Sequence, residues 1–318
     1  MDKNIHILSA SCPMPTMDFD VITLGHGSGG LLTNKLLDSG VFSLFSNDYL
    51  DQRHDGAIIP ANGKIAVSTD SFVVSPIFFP GGNIGDLAIN GTVNDINMCG
   101  AKAQYITLSF IIEEGLKMTE LWEIMLTIKK SADEAGVQII TGDTKVVEKG
   151  KGDKIFINTT GIGHVLEGTN ISIQNVKVGD KIILSNKIAN HGVAIMSVRN
   201  GLEFETTIIS DTCHFNDIIP EIISKYRDNI HLLKDPTRGG IATVLNEIAR
   251  DAKCGVEVNQ KDIHIDEEVD GACELLGLDP LYVANEGVFI AVVEASIAEE
   301  IVNDLNKIDK TSNASVIG

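Results

Sequence analysis

Apolar residues recur along this chain in two rhythms, short β-branched or aromatic runs and longer stretches with apolar positions three and four apart, so strands and helices should alternate. Phe19 to Leu24 reads as β-like and runs into Gly25-His26-Gly27-Ser28-Gly29-Gly30, after which Leu31, Leu32, Leu36 and Leu37 set a helical pattern. Lys64 to Thr69 predicts a strand that breaks at Asp70. Pro80-Gly81-Gly82 then forms a corner, and a helix begins near Ile84 and carries Asn94 and Asp95 between apolar neighbours. Tyr105 to Ile112 has strand composition. Thr119 reads as the N-cap of a helix in which Leu121, Met125, Ile128 and Ala132 recur, with Trp122 as a packing residue and Gly136 as its end. Val137 to Ile140 predicts a short buried strand leading into Thr141-Gly142-Asp143-Thr144-Lys145 at its end, a segment that also reads as a solvated turn, and Ile155 to Gly163 returns as a strand.

The second half repeats the alternation. Strands are expected at Lys181 to Ser185, His231 to Leu233 and Val288 to Val293, with Ser315 to Ile317 starting another. Helices are expected near His191 to Val198, Asp217 to Tyr226, the stretch ending near Ala252 before Gly255, and Ile297 to Leu305. These elements divide into an N-terminal arm over 1–17, a first domain over 18–166 and a second α/β domain over 167–318. A chain of 318 residues is long enough for two such cores.

Charge narrows the function. With 44 acidic against 25 basic residues the net charge is −19, which offers no basic face for nucleic acid or an anionic membrane. A phosphate ligand would need Mg²⁺ to offset that field. The five cysteines, Cys12, Cys99, Cys213, Cys254 and Cys273, form no CxxC pair, which fits a reducing compartment. The apolar runs are too short to span a bilayer and the N-terminus lacks a signal-peptide pattern, so a cytoplasmic location is expected.

The candidate chemistry is acidic. Asp55, Asp70, Asp95, Asp143 and Asp235 lie at or near expected strand ends and corners, and oxygen ligands without paired histidines favour a hard cation such as Mg²⁺. Each alone also reads as a turn former or N-cap. Gly25 to Gly30 matches GxGxxG, but Asp48 and Asp51, about 20 positions on, sit in a polar loop instead of ending a buried strand. A glycine-rich segment that folds over a ligand is the preferred reading, with a plain tight turn beside it. Asp143 and Lys145, after the small residues Thr141 and Gly142, suit a site that approaches phosphate. No GxxxxGK[ST] loop is present.

Taken in order, GHGSGG, STDSFVVSPIFFPGGNIGDLAINGTVNDINMCGA, TGDTKVV, DKIFINTTGIG, DPTRGG and CELLGLDPLYVANEG resemble the hydrogenase maturation factor HypE family over Val21 to Gly318. The resemblance implies an α/β (α+β), two-domain aminoimidazole ribonucleotide synthetase-like fold. In it the N-terminal sheet forms the core of a homodimer, and ATP with Mg²⁺ binds between the domains. It implies an ATP-dependent carbamoyl dehydratase: HypF carbamoylates a C-terminal cysteine, ATP drives dehydration of the thiocarboxamide to a thiocyanate, and the HypC-HypD complex accepts the cyanide for the nickel-iron hydrogenase.

Carried over motif by motif, Asp70 and Asp95 would hold Mg²⁺, with Asp55 and Asp235 as further ligands. Asn94, Asp143, Thr144 and Arg238 would contact ATP, as would His191 and Gly192, where the family's Asp-His-Gly turn has Asn190 in first position. Lys145 would neutralise the transferred phosphoryl group, and Glu286 of ANEG would be the base. Glu286 also reads as an exposed turn acid. The family's Pro-Arg-Ile-Cys tail would lie about two dozen residues beyond Gly318; a truncation is expected, and without that cysteine the chain could not carry its own carbamoyl group. The alternatives are a selenophosphate synthetase-like enzyme, against which Cys12 lacks a following lysine, and a non-catalytic maturation scaffold.

Overall fold

The computed structural model describes residues 14–15, 18–27, 31–52, 59, 61–201 and 208–318. Asp55, Cys12 and the Ser28-Gly29-Gly30 part of the glycine-rich stretch lie outside these described residues. The chain forms two units. One comprises the chain up to Phe78 with Gly82–Thr92 and Ala103–Gly163; the other comprises Phe79–Gly81, Val93–Lys102 and His164–Gly318.

In the first unit, β1 (Ile65–Phe72) precedes a short ribbon of β2 (Phe78–Phe79) and β3 (Gly82–Asn83). Strands β4 (Ala101–Glu113), β5 (Gln138–Val147) and β6 (Ile155–Val165) complete a four-stranded sheet of order β1-β6-β4-β5. β4 and β5 are parallel, with Ser109 opposite Asp143 and Ile111 opposite Lys145. The connection between them is the helix Met118–Ala135, which buries Leu121, Trp122, Ile124, Met125, Ile128 and Ala132 and stops at Gly136 in the left-handed region (φ 67°). Trp122 is therefore core, as its helical spacing implied.

Several local expectations are corrected. Phe19 to Leu24 forms only an isolated bridge, Val21 to Lys117, followed by a 3₁₀ turn at Leu24–Gly27. The helix expected after the glycines is present, beginning at Leu31 and continuing in helical form to Phe45. β1 does not break at Asp70: a strand at the margin of a sheet leaves one side to solvent and tolerates Thr69, Asp70 and Ser71. The N-cap of the long helix is Lys117, without a side-chain cap, and Thr119 lies inside it. The strand expected to end at Ile140 runs on through Thr141 to Lys145, because β5 finds nine partners along β4.

Gly142 is required by that pairing. A Cβ there would lie 2.0 Å from the Leu108 carbonyl oxygen, so the glycine admits the neighbouring strand and not a phosphate. Gly142→Ala is expected to lower unfolding free energy by about 3 kcal/mol through this overpacking, measurable by urea denaturation.

The second unit is built on an antiparallel sheet of order β10-β7-β9-β8, from β7 (Lys181–Leu184), β8 (Ile230–Lys234), β9 (Ile290–Val293) and β10 (Ser315–Val316). Both faces are covered, which explains why β9 reads as an unbroken apolar run. Ile290 and Val292 enter one core with the helices Asn190–Arg199, Gly240–Ala252 and Glu267–Leu276. Ala291 and Val293 enter the other with the helices Ile219–Tyr226 and Ala298–Leu305. Met98 joins this second core from the end of the helix Ile84–Met98. That burial is why Val93 to Lys102, placed by sequence in the first domain, belongs structurally to the second unit. The Gly240–Ala252 helix is closed by Lys253 in the left-handed region (φ 54°), before Gly255.

Candidate functional site

In the first unit, a cavity of about 400 Å³ opens beside Thr141, Gly142, Asp143, Thr144 and Lys145 of β5. Leu108 and Phe110 of β4, Ile139 of β5, and Leu37, Val41 and Phe42 of the N-terminal helical segment give it apolar walls. Gly27 also lines it, and must be glycine because a Cβ would meet Val146 at 2.7 Å. An apolar cavity of this size with one polar strand suits a small organic ligand bearing an anionic end. Lys145 Nζ donates to Asp143 Oδ1 at 2.8 Å, and Thr144 N donates to the same oxygen at 2.8 Å. The lysine's hydrogen bond holds the exposed Asp143 carboxyl below the usual carboxylate range, with burial opposing and the Thr144 amide helping. Both side chains are more than half exposed, so a ligand can reach them.

Asp70 lies on β1. Its Oδ1 accepts from Ser71 N at 2.7 Å, and its backbone carbonyl accepts from Asn158 at 2.9 Å, which leaves the carboxylate fixed and half-exposed.

In the second unit, Asp95, near the end of the Ile84–Met98 helix, and Asp235, after β8, both act on the Cys99 thiol. Burial pushes that thiol's pKa up first, and the two carboxylates push it further. Both acids are half-exposed. The turn after Asp235 takes its shape from Gly239 and Gly240 (φ 76° and 63°), and a Cβ on Gly240 would meet the Leu281 carbonyl oxygen at 2.4 Å. Arg238 is exposed beside them. Among the described residues, no three His, Cys, Asp or Glu side chains gather closely enough to cage a metal. What each unit offers is single carboxylates, which fits Mg²⁺, an ion usually held by one or two carboxylates plus phosphate and water.

Three expected ATP contacts are engaged in the fold itself. Asn94 is 2 % exposed; its Nδ2 donates to the Cys213 carbonyl at 2.9 Å and its Oδ1 accepts from Phe215 N at 3.0 Å, so it ties its helix to the 213–215 segment. His191 is buried, with Nδ1 2.8 Å from Ser210 Oγ and its ring edge-on to Phe79, and burial lowers its pKa to about 4. Gly192 is packed against the chain: a Cβ would lie 2.4 Å from Val283.

Because His191 is depressed from about 6.5 in an unfolded chain, the unfolded state binds more protons between pH 4 and 6.5, and its contribution to stability is lost as pH falls through that window. The loss approaches about 3 kcal/mol. His191→Gln is expected to remove about one proton from the slope of unfolding free energy against pH between 6.5 and 4.5, read by denaturation at each pH.

Glu286 stands half-buried in the Asn285-Glu286-Gly287 turn before β9. Asn285 fastens that turn, donating from Nδ2 to the Pro236 carbonyl at 2.9 Å and accepting from Ala189 N at 2.7 Å. Glu286 N donates to Asp211 Oδ1 at 3.2 Å. Asp211, in Ser210-Asp211-Thr212-Cys213, was not singled out by sequence, because a lone acid in a polar stretch carries no pattern.

Two family models match, the AIR synthase related protein N-terminal domain over residues 53–165 and its C-terminal domain over 177–318. The carbamoyl dehydratase HypE of Bradyrhizobium diazoefficiens is 46% identical over 278 residues, 87% of this chain and 80% of the relative. The chain belongs to the carbamoyl dehydratase HypE family. A solved HypE in complex with ATP superposes with TM-score 0.90 at 43% identity, covering 93% of this chain and 88% of that one. A HypE solved in a HypE-HypF complex gives TM-score 0.79 at 44% identity, covering 89% and 92%. The HypE relationship confirms the aminoimidazole ribonucleotide synthetase-like fold and favours hydrogenase maturation over the selenophosphate synthetase reading. No described helix is long and apolar enough to cross a membrane.

Proposed function

We propose that this chain catalyses ATP-dependent dehydration of a carbamoylated cysteine, R–S–C(=O)–NH₂, to R–S–C≡N with release of ADP and phosphate. The observation that carries the reading is the cavity of about 400 Å³ with Asp143, Thr144 and Lys145 along one side, in a chain 43% identical to a HypE bound to ATP. Its apolar walls suit a nucleoside, and Lys145 stands where it can donate to a phosphate oxygen. Transfer of the γ-phosphoryl group to the amide oxygen converts a poor leaving group into phosphate. Lys145 offsets charge on that group, and Glu286 accepts the nitrogen protons as the C–O bond breaks. Mg²⁺ supplies charge neutralisation when bound; Asp70, Asp95 and Asp235, with Asp55, are the acids that would hold it. Thr144 and Arg238 complete the nucleotide contacts.

HypF is the proposed carbamoyl donor, in keeping with the HypE-HypF complex, and the HypC-HypD complex the acceptor. We infer a cytoplasmic site of action, in keeping with five cysteines that form no CxxC pair. The direct test joins the chain to a terminal Pro-Arg-Ile-Cys segment, supplies HypF and carbamoyl phosphate, and measures thiocyanate formed per ATP. One thiocyanate per ATP is expected. ATP binding without hydrolysis would favour the scaffold instead.

We infer further that the first unit pairs with a second copy through its sheet. Val67 and Val73, on and just after the marginal strand β1, are 62% and 57% exposed, and a sheet margin with exposed apolar side chains is open to pairing with another chain. A Val67→Lys, Val73→Glu double variant is expected to sediment as a monomer where the parent sediments as a dimer.

A further inference from the structure

The Ser210 to Cys213 segment grips the turn that carries Glu286. Asp211 Oδ1 accepts from Glu286 N at 3.2 Å, and the backbone amides of Gly287 and His191 also face this carboxyl. Gly287 is packed against the same residue, since a Cβ on it would lie 1.8 Å from the Asp211 carbonyl oxygen. Cys213 Sγ lies 4.0 Å from the Gly287 carbonyl oxygen, and Ser210 Oγ meets both His191 Nδ1 at 2.8 Å and Thr212 N at 3.1 Å. The second carboxyl oxygen of Asp211 is shielded from solvent and has no partner among the described residues.

We propose that Asp211 is a positioning residue for Glu286, its buried carboxyl gathering the amides of the Glu286 turn and of the Asn190–Arg199 helix start so that the Glu286 side chain is held in one orientation. This rests on the assignment of Glu286 as the base. A buried carboxyl is costly, and the fold retains it where a neutral side chain would bind one amide less strongly. Burial raises its pKa to about 6 despite the amides that lower it, so the site carries a real desolvation cost. The same segment buries Cys213, whose thiol is pushed up to about 12 chiefly by desolvation and then by Asp211, and which is thereby inert as a nucleophile. The chemistry available here is orientation, not covalent catalysis.

The test measures thiocyanate formation in a single turnover, together with the ATP concentration at half-saturation, for the tailed protein and its variants. Asp211→Ala is expected to slow the turnover about 100-fold, the penalty typical of a misplaced catalytic group, while ATP half-saturation moves less than about 2-fold, a split that general loss of structure does not produce. Asp211→Asn keeps the acceptor oxygen and is expected to restore the rate to within about 10-fold of the parent. Should Asp211→Ala fail to fold, Asp211→Ser, whose hydroxyl falls short of the Glu286 amide, carries the same expectation. Parental rates in Asp211→Ala, equal damage in Asp211→Asn, or a parallel rise in ATP half-saturation would each overturn the assignment. Glu286→Gln separates the two readings. If it is slow while Asp211→Ala is not, Asp211 alone loses its role; if it turns over at the parental rate, the base itself is wrongly placed and the proposal ends with it.

Discussion

Lys145→Met removes the cation from the polar side of the first unit's cavity and is expected to lower the rate of thiocyanate formation about 1,000-fold, the usual scale for losing one preorganised donor to a developing negative charge. The side chain is 65% exposed and its ion pair with Asp143 is a surface pair, so little stability depends on it. The unfolding midpoint in urea should therefore stay within error of the parent. Asp143, released from its partner, should titrate closer to an ordinary carboxylate, because the lysine hydrogen bond is the leading cause of its depression. A carboxyl-resolved NMR titration reads that change without any turnover. Retention of full activity in Lys145→Met would remove the phosphoryl-stabilising role, and with it the reason for placing the nucleotide phosphates along β5.

Glu286→Gln is expected to slow dehydration about 1,000-fold while leaving ADP formation detectable, because general-base removal acts on the elimination in which phosphate departs and not on the phosphoryl transfer before it. The amide is nearly isosteric, and the backbone bond from Glu286 N to Asp211 survives the change. A turnover defect without a shift in unfolding midpoint is thus the expected pattern. The bland alternative, a turn acid with no chemical duty, predicts parental rates. If ATP is consumed at the parental rate and no thiocyanate accumulates, phosphorylation and elimination are separable and Glu286 belongs to the second step alone.

Order along the chain made the family visible, and periodicity located most elements. The helix Ile84–Met98, the helix Met118–Ala135 and the strand β9 all follow from spacing alone. The misplaced boundaries share a cause. At β1 and at Thr141 to Lys145, polar and small residues looked like turns, yet strand pairing overrode local preference: β5 continues because β4 lies beside it, and Gly142 is small because Leu108 needs the space. Sequence also credited Asn94, His191 and Gly192 with ligand contacts, for which the motif was the whole warrant. In the fold Asn94 bonds Cys213 and Phe215, His191 Nδ1 meets Ser210 and Gly192 packs against Val283, partners 19 to 121 residues away that no local window contains.

What the amino-acid order determined by itself was the family, through several motifs in order, and the alternation of strands and helices, through apolar rhythm; the recurring aspartates and the Gly-Asp-Thr-Lys run raised a cation and a phosphate as expectations only. What only the tertiary structure decided was which of those side chains stay free to act. Hydrogen-bond partners and close packing are set by residues distant in the chain, so commitment of Asn94 and His191 to the fold, exposure of Lys145, and the hold of Asp211 on the Glu286 turn emerge only when the backbone has closed on itself.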